Sequence, residues 1–475
     1  MAYFGELAKN KGIQTLLTDI SVKENLETIE FFSSGNEFIR IDEYFINKRK
    51  YPKDFSLEHI FVIDGSKFDG ETKDSLDNHV GLINVNQCVI DIKKMVSYLK
   101  NSFPLPREYE EIRDDVPNHL IIPLRGFKTR RISNDRDFFK MFFFEYFSKM
   151  ENNIVKWLEY KYGELKVKET PYETYLHLLN KQKTHHVLPK MNTCPECAKK
   201  GYVLGPNYFK DGKEWNGNKS CKCVDSPQNV YVTDLLQFQE LLNTESSNET
   251  LTTQMMLVLE KIILINLLRN IKLNGLTDLL EKSAFIVDGS LAIYSHASWL
   301  SHLITEEIAE LKSENNILIC GVEKSGNFVD HFKLVDYFYA EYPLEKGMLF
   351  FLDDDYIKKH IKIYHNDSYY GEKNYFGKKF FYKNALEKLF VINLAFEDEQ
   401  DKAVNFNIRN EKNSIESCQK LDELLMLLDN FSSHSFQNAL SFISMANDGA
   451  SLSNSRLGSK ILNDFIHDVL GNKKK

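Results

Sequence analysis

The chain has 475 residues, 43% of them hydrophobic, a mean hydropathy of −0.38 and a formal charge of −8. That length allows two or three domains, or one core domain with insertions, and the composition is that of a soluble globular protein. The negative balance excludes a surface coated in basic residues, so any nucleic acid would be held by a local patch or with a partner's help.

The N-terminus has no signal-peptide layout. The most apolar run, Met255 to Leu268, is interrupted by Glu260, Lys261 and Asn266. It is too short and too charged to span a bilayer, so the expected location is the cytosol.

Residues 1–55 read as a mostly helical lead-in. Strands begin at His59. Phe61-Val-Ile-Asp64 is a short apolar run ending in an acid, and Gly81 to Ile92 is its expected antiparallel neighbour across a polar loop from Lys67 to His79. Leu120-Ile-Ile-Pro-Leu124 is a further strand. Lys128-Thr-Arg130-Arg131 then forms a compact basic patch, which suits either a solvated loop or phosphate contacts. One aromatic-rich helix is expected from Asp135 to Lys161, its phenylalanines filling core.

Four of the seven cysteines cluster as Cys194-Pro-Glu-Cys197 and Cys221-Lys-Cys223, just after His185-His186. In a reducing compartment such spacing suggests metal rather than disulfides. Four thiolates close a tetrahedral site, so the expected ion is a structural Zn²⁺ in a zinc-ribbon-like insertion over 185–228.

Leu251 to Asn270 reads as a long helix stopped at Gly275. Glu260 stands there among Met256, Leu257, Ile263 and Leu264, where a carboxylate is costly unless paired or metal-bound. Lys261 is the ordinary partner for it, or can extend its ammonium outward along its stem.

Ala284-Phe-Ile-Val-Asp288-Gly-Ser290 repeats the layout of Phe61-Val-Ile-Asp64-Gly-Ser66: an apolar strand, one acid at its end, and a glycine that lets the backbone turn. Asp-Gly is a common strand-to-turn dipeptide. Its repetition in one context suggests two carboxylates meeting at a sheet edge, a donor pair suited to a divalent metal. A helix from Trp299 to Leu311 and a strand from Asn316 to Lys324 follow, the order of a parallel crossover. This places Glu323, Lys324 and Ser325 on the edge where open α/β sheets hold their sites, with Lys324 a candidate phosphate contact.

Further on, Met348 to Leu352 is a strand leading into an acidic turn. Tyr375 to Lys383 interleaves lysines with aromatics, as a nucleic-acid surface or an edge strand with lysines facing water would. It pairs with Phe390 to Phe396. Helices near Leu421–Asn430 and Phe436–Ala446 and a short one from Gly458 close the chain.

Asp64, Glu260 and Asp288 form a set able to bind one or two Mg²⁺ or Mn²⁺ ions. Two ions ~3.5–4 Å apart can serve phosphodiester hydrolysis without a protein nucleophile. Ile63-Asp64-Gly-Ser66, the Glu260 helix, Phe285-Ile-Val-Asp288-Gly-Ser-Leu-Ala-Ile293 and Gly321-Val-Glu-Lys-Ser325 together resemble the NurA nucleases, in order from about residue 60 to 460.

That resemblance implies an α/β, ribonuclease-H-like mixed sheet flanked by helices, with the zinc-ribbon-like segment as an insertion between two parts of one nuclease core, 56–184 and 229–475. It implies DNA end processing beside a HerA-type hexameric ATPase, a homodimer and a Mn²⁺ preference. DNA repair and anti-phage defence are the settings it suggests.

The family's aspartates map to Asp64 and Asp288, and its glutamate to Glu260, with Glu145 the competitor. The family histidine falls near Asn447, which cannot take up a proton, with His434 upstream as a substitute. Lys128, Arg130, Arg131 and Lys324 are the candidate DNA contacts. A second reading from the same residues is a catalytically weak DNA-binding or scaffold subunit of the motor complex. A von Willebrand A-type metal site fits poorly, because Phe68 and Ala292 stand where its Asp-x-Ser-x-Ser pattern needs the last serine.

Overall fold

The computed structural model describes residues 39–40, 56–71, 79–99, 106–127, 132, 134–181, 219–220, 229–338, 346–352, 354, 357–361, 370–397, 420–432 and 440–451. Its strands in chain order are β1 (Ile39–Arg40), β2 (His59–Glu71), β3 (His79–Asp91), β4 (Arg113–Arg125), β5 (Lys219–Ser220), β6 (Asn229–Val230), β7 (Ser283–Asp288), β8 (Leu318–Glu323), β9 (Met348–Phe351), β10 (Gly377–Lys383) and β11 (Leu389–Ala395). Nine of these form one sheet in the order β1-β9-β10-β11-β8-β7-β2-β3-β4, and β5 and β6 pair separately. β2 and β8 each run parallel to β7, and the other pairings are antiparallel. The fold is therefore α/β with a mixed sheet.

The central strands are buried on both faces, which is why they read as unbroken apolar runs rather than alternating ones. The pleat still sorts them. Phe61, Ile63, Phe285 and Val287 join one core, while Ile60, Val62, Ala284 and Ile286 join the other.

The helices are α1 (Ile92–Leu99), α2 (Pro106–Ile112), α3 (Asp135–Ser148), α4 (Asn153–Tyr162), α5 (Pro171–Lys181), α6 (Glu249–Leu273), α7 (Thr277–Glu281), α8 (Leu300–Glu314), α9 (Asn327–Phe338), α10 (Leu421–Asn430) and α11 (Ser441–Ala450). α6 lies in the first core through Leu259, Ile262, Ile263 and Leu267. α10 and α11 cover the second through Leu424, Leu428, Phe442 and Ile443. Among the described residues, α6 is the one helix long and apolar enough to cross a membrane, and most of it is buried inside the protein. It stops where Gly275 takes φ +70° and its N–H bonds the Lys272 carbonyl at 2.9 Å.

Several expectations are corrected. Asp64 does not end its strand and the 67–79 stretch is not all loop, because β2 runs on through Asp64-Gly-Ser66 to Glu71 against β3. The single helix over 135–161 is two: the chain breaks after Ser148, and Asn152 caps the second by accepting from the Val155 N–H. β10 is not an edge strand, since β9 and β11 flank it and Lys378, Lys379 and Lys383 are buried. Lys261 does not reach water either and is 1% exposed. The last described helix begins at Ser441 rather than near Phe436. The cysteine segment 185–228, apart from β5, and the lead-in, apart from β1, lie outside the described residues.

Candidate active site

β2 and β7 pair in parallel with Ile63 opposite Val287, so one step further Asp64 and Asp288 stand side by side. Both carry the parity of the strand residues in the second core, so both project toward α11. β8 continues the pattern: Val322 pairs with Asp288, and Lys324, two residues on, takes the same face. Gly289 makes the turn after Asp288 at φ +119°, and its N–H bonds the Val322 carbonyl at 2.9 Å.

α11 brings Asn447 to this edge. Its amide, oriented by its partners, donates to Asp64 Oδ2 and to Asp288 Oδ2 (3.3 Å) and accepts from Lys324 Nζ at 2.7 Å. Lys324 Nζ also lies 2.7 Å from Asp288 Oδ2. The helix is held against the strands from outside the site. Arg113 donates to the Met445 carbonyl at 2.7 Å, Asn84 donates to the Ala450 carbonyl at 3.0 Å, and Ser66 donates to that same carbonyl.

Glu260 approaches from the other face of the sheet, on α6. It reaches the edge because residue 65 is a glycine. A Cβ there would run into Glu260 Oε1 and lie 2.6 Å from Met256 Cγ. The Gly65 N–H bonds the Glu260 carboxylate, whose Oε2 is 3.1 Å from Lys261 Nζ.

The electrostatics are those of crowded acids. Burial, then the charges of Asp288 and Glu260, push the Asp64 carboxyl up to about 8, against the pull of Lys324. Burial also raises Glu260, opposed by Lys261 and by the Gly65 N–H. These groups line a cleft of about 640 Å³ whose far wall holds Tyr294, Tyr375, Glu323 and Lys379. Tyr294 and Tyr375 bond hydroxyl to hydroxyl at 2.9 Å. Lys379 pairs with Glu323 at 2.7 Å and lies 3.5 Å from the centre of the Phe328 ring, and burial lowers its ammonium to about 8.

The donor set fits a hard divalent cation in kind: carboxylate and amide oxygens, with excess negative charge that raises Asp64. Among the described residues, no three His, Cys, Asp or Glu side chains stand close enough together to hold an ion as they are. Asn447 bridges the two aspartates instead, and Lys324 pairs with Asp288 and with the Asn447 amide oxygen.

The structure thus brings together Asp64, Asp288, Asn447 and Lys324, with Glu260 adjoining through Gly65. Glu145 lines a separate surface cleft with His119 and Lys149. Lys128, Arg130, Arg131, His434, Cys194, Cys197, Cys221 and Cys223 fall outside the described residues. Sequence reasoning did not assign Tyr294, Tyr375 or Lys379 to the site. The basic and aromatic interleaving at Tyr375 to Lys383 was the signal, but the burial of β10 is a tertiary property.

No family model matches the sequence, and no curated protein does. Among solved structures the chain is similar to crystal structures of NurA, one of them bound to dAMP and manganese and another with manganese. Identities are 9%, 10% and 11%, coverage is 97–98% of this chain and 98–99% of the others, and TM-scores are 0.27, 0.30 and 0.28, too low to carry an argument.

Proposed function

We propose that the chain is a divalent-metal-dependent nuclease acting on DNA. The observation that carries this reading is the parallel register that sets Asp64 and Asp288 side by side, with Asn447 bridging them at the mouth of a cleft. The order β4-β3-β2-β7-β8, three antiparallel strands followed by two parallel additions, supports a ribonuclease-H-like core.

Asp64 and Asp288 would hold the cation, Glu260 would complete the acid set past Gly65, and Asn447 would orient both aspartates through its amide. Lys324, 30% exposed at the cleft, would hold a substrate phosphate. A cation in oxygen ligation polarises a phosphodiester and makes bound water more acidic. Mn²⁺ or Mg²⁺ fits such ligands. A HerA-type ATPase partner, a homodimer and a structural Zn²⁺ at the four cysteines belong to the same proposal, and the net charge of −8 suits a nuclease whose DNA is fed by a motor.

A scaffold reading has one specific observation in its favour. Asn447, the side chain that α11 brings to both aspartates, is an amide that cannot take up a proton.

The deciding experiment is cleavage of end-labelled linear DNA with Mn²⁺, with Mg²⁺ and with EDTA, for wild type and Asp288→Asn, with and without the cognate motor. Metal-dependent cutting that disappears in Asp288→Asn is the expected result. Intact DNA in every lane, with DNA still bound, would replace the nuclease by the scaffold.

A further inference from the structure

We propose that Lys324 is a built-in counter-ion that occupies a cation position beside Asp288 and the Asn447 amide oxygen and competes with the divalent metal for it. This rests on the metal-dependent reading above and adds a device to it.

The ammonium is not merely near the site. It lies 2.7 Å from Asp288 Oδ2 and 2.7 Å from the Asn447 amide oxygen, between two atoms of the class a hard cation uses. Asp64 is tied into the same cluster through the Asn447 amide. An ammonium bonds oxygen at roughly 2.7–2.9 Å and a small divalent cation at about 2.0–2.1 Å, so a divalent ion drawn in among these same oxygens takes the ammonium's space and repels its charge.

Nor is Lys324 locked in place. It sits just past the end of β8, two residues before Gly326, which takes φ +101° ahead of α9. Its side chain is 30% exposed on the cleft, and its flexible four-carbon stem can turn the charge into that space. By contrast, Lys261 and Lys379 are buried and paired with Glu260 and Glu323. Of these three lysines, Lys324 alone combines contact with Asp288 and a path outward into the cleft.

The consequence is an exchange. Without the divalent ion, Lys324 relieves the repulsion between the acids and keeps the edge assembled. Loading the ion displaces the ammonium into the cleft, where a DNA phosphate is its natural new partner. Metal affinity is thereby set low until substrate offers that partner, so metal and DNA should bind with positive coupling.

The test is Mn²⁺ binding by the EDTA-stripped full chain, followed by electron paramagnetic resonance of the free ion, for wild type, Lys324→Met, Lys324→Arg and Asp288→Asn. Removing one opposite charge at ion-pair distance should tighten Mn²⁺ binding about tenfold or more in Lys324→Met. Lys324→Arg should bind no tighter than wild type, and Asp288→Asn should bind least. Without metal, Lys324→Met should melt lower than wild type, with Mn²⁺ restoring it. Should Lys324→Met not fold, Lys324→Gln carries the same expectation.

Equal or weaker Mn²⁺ binding by a folded, charge-free variant overturns the counter-ion role. Wild type that binds Mn²⁺ and cuts DNA in that case keeps the nuclease reading. No Mn²⁺ binding by any variant at millimolar concentration overturns both.

Discussion

Glu260 Oε2 lies 3.1 Å from the ammonium of Lys261, its neighbour in the chain, and both side chains are sealed from solvent. Adjacent helix positions do not face one another, so the pair forms only because both stems bend within the core under β2. Breaking such a pair strands a charge. Lys261→Met should cost about 3–5 kcal/mol in urea unfolding. Burial already raises the Glu260 carboxyl, so it can escape by taking a proton. The loss should therefore grow as pH rises from acid toward neutrality. A cost under about 1 kcal/mol at neutral pH would mean that Glu260 does not depend on Lys261.

Gly65 is the opening through which Glu260 meets the sheet edge. Gly65→Ala would put a methyl group against Glu260 Oε1 and Met256. Overpacking of this kind costs about 1–3 kcal/mol. It should also push α6 from β2 and weaken Mn²⁺ binding more than a surface substitution of equal stability cost. Unchanged Mn²⁺ affinity in Gly65→Ala would remove Glu260 from the metal set.

Gly449 plays a similar part for Asn447, two residues before it. A Cβ at 449 would strike Asn86 Nδ2 and Asp115 Oδ1, which are themselves hydrogen-bonded at 2.8 Å. Gly449→Ala should lift the end of α11, cost about 1–3 kcal/mol, and reduce DNA cutting beyond that stability loss. Activity that merely follows the folded fraction in a melting series would count against the helix as a positioning device.

Away from the cleft, Glu307 on α8 joins three elements. It pairs with His177 at 2.9 Å and Lys181 at 2.7 Å on α5, and with Arg269 at 2.7 Å on α6. Burial alone would raise its carboxyl, but the His177 hydrogen bond and the charges of Arg269 and Lys181 outweigh that and hold it well below the usual carboxylate range. A depressed carboxyl stabilises the fold fully above its unfolded value of about 4.3 and loses that contribution as pH falls toward the folded value. Glu307→Gln should thus cost about 3–5 kcal/mol at pH 7, and the gap from wild type should narrow below about pH 4. A gap that stays constant down to acid unfolding would contradict the assignment.

Local pattern carried much of the architecture. Phe61 to Asp64, Ala284 to Asp288 and Asn316 to Lys324 are legible as strands because a chain buried on both sheet faces is apolar at nearly every step. Leu421 to Asn430 is legible as a helix because its leucines recur on one face. Lys379 and Lys383 misled for the same local reason. A lysine in a strand normally marks an edge, and only the neighbours β9 and β11 show that these two are covered and paired.

The amino-acid order alone determined that two apolar runs would each lead into Asp-Gly-Ser, that a long helix would carry Glu260 on an apolar stripe, and that Lys324 would follow a third strand. These are properties of neighbours in the chain. Which acids meet is a property of register. Parallel pairing of β2 with β7 places Asp64 beside Asp288 across more than two hundred residues, and a slip of one residue would turn one of them to the opposite face. The arrival of Asn447 from α11, and the pairing of Lys324 with Asp288 and the Asn447 amide, were likewise decided only by tertiary packing, because nothing in a local window records what the far side of a sheet will bring to its edge.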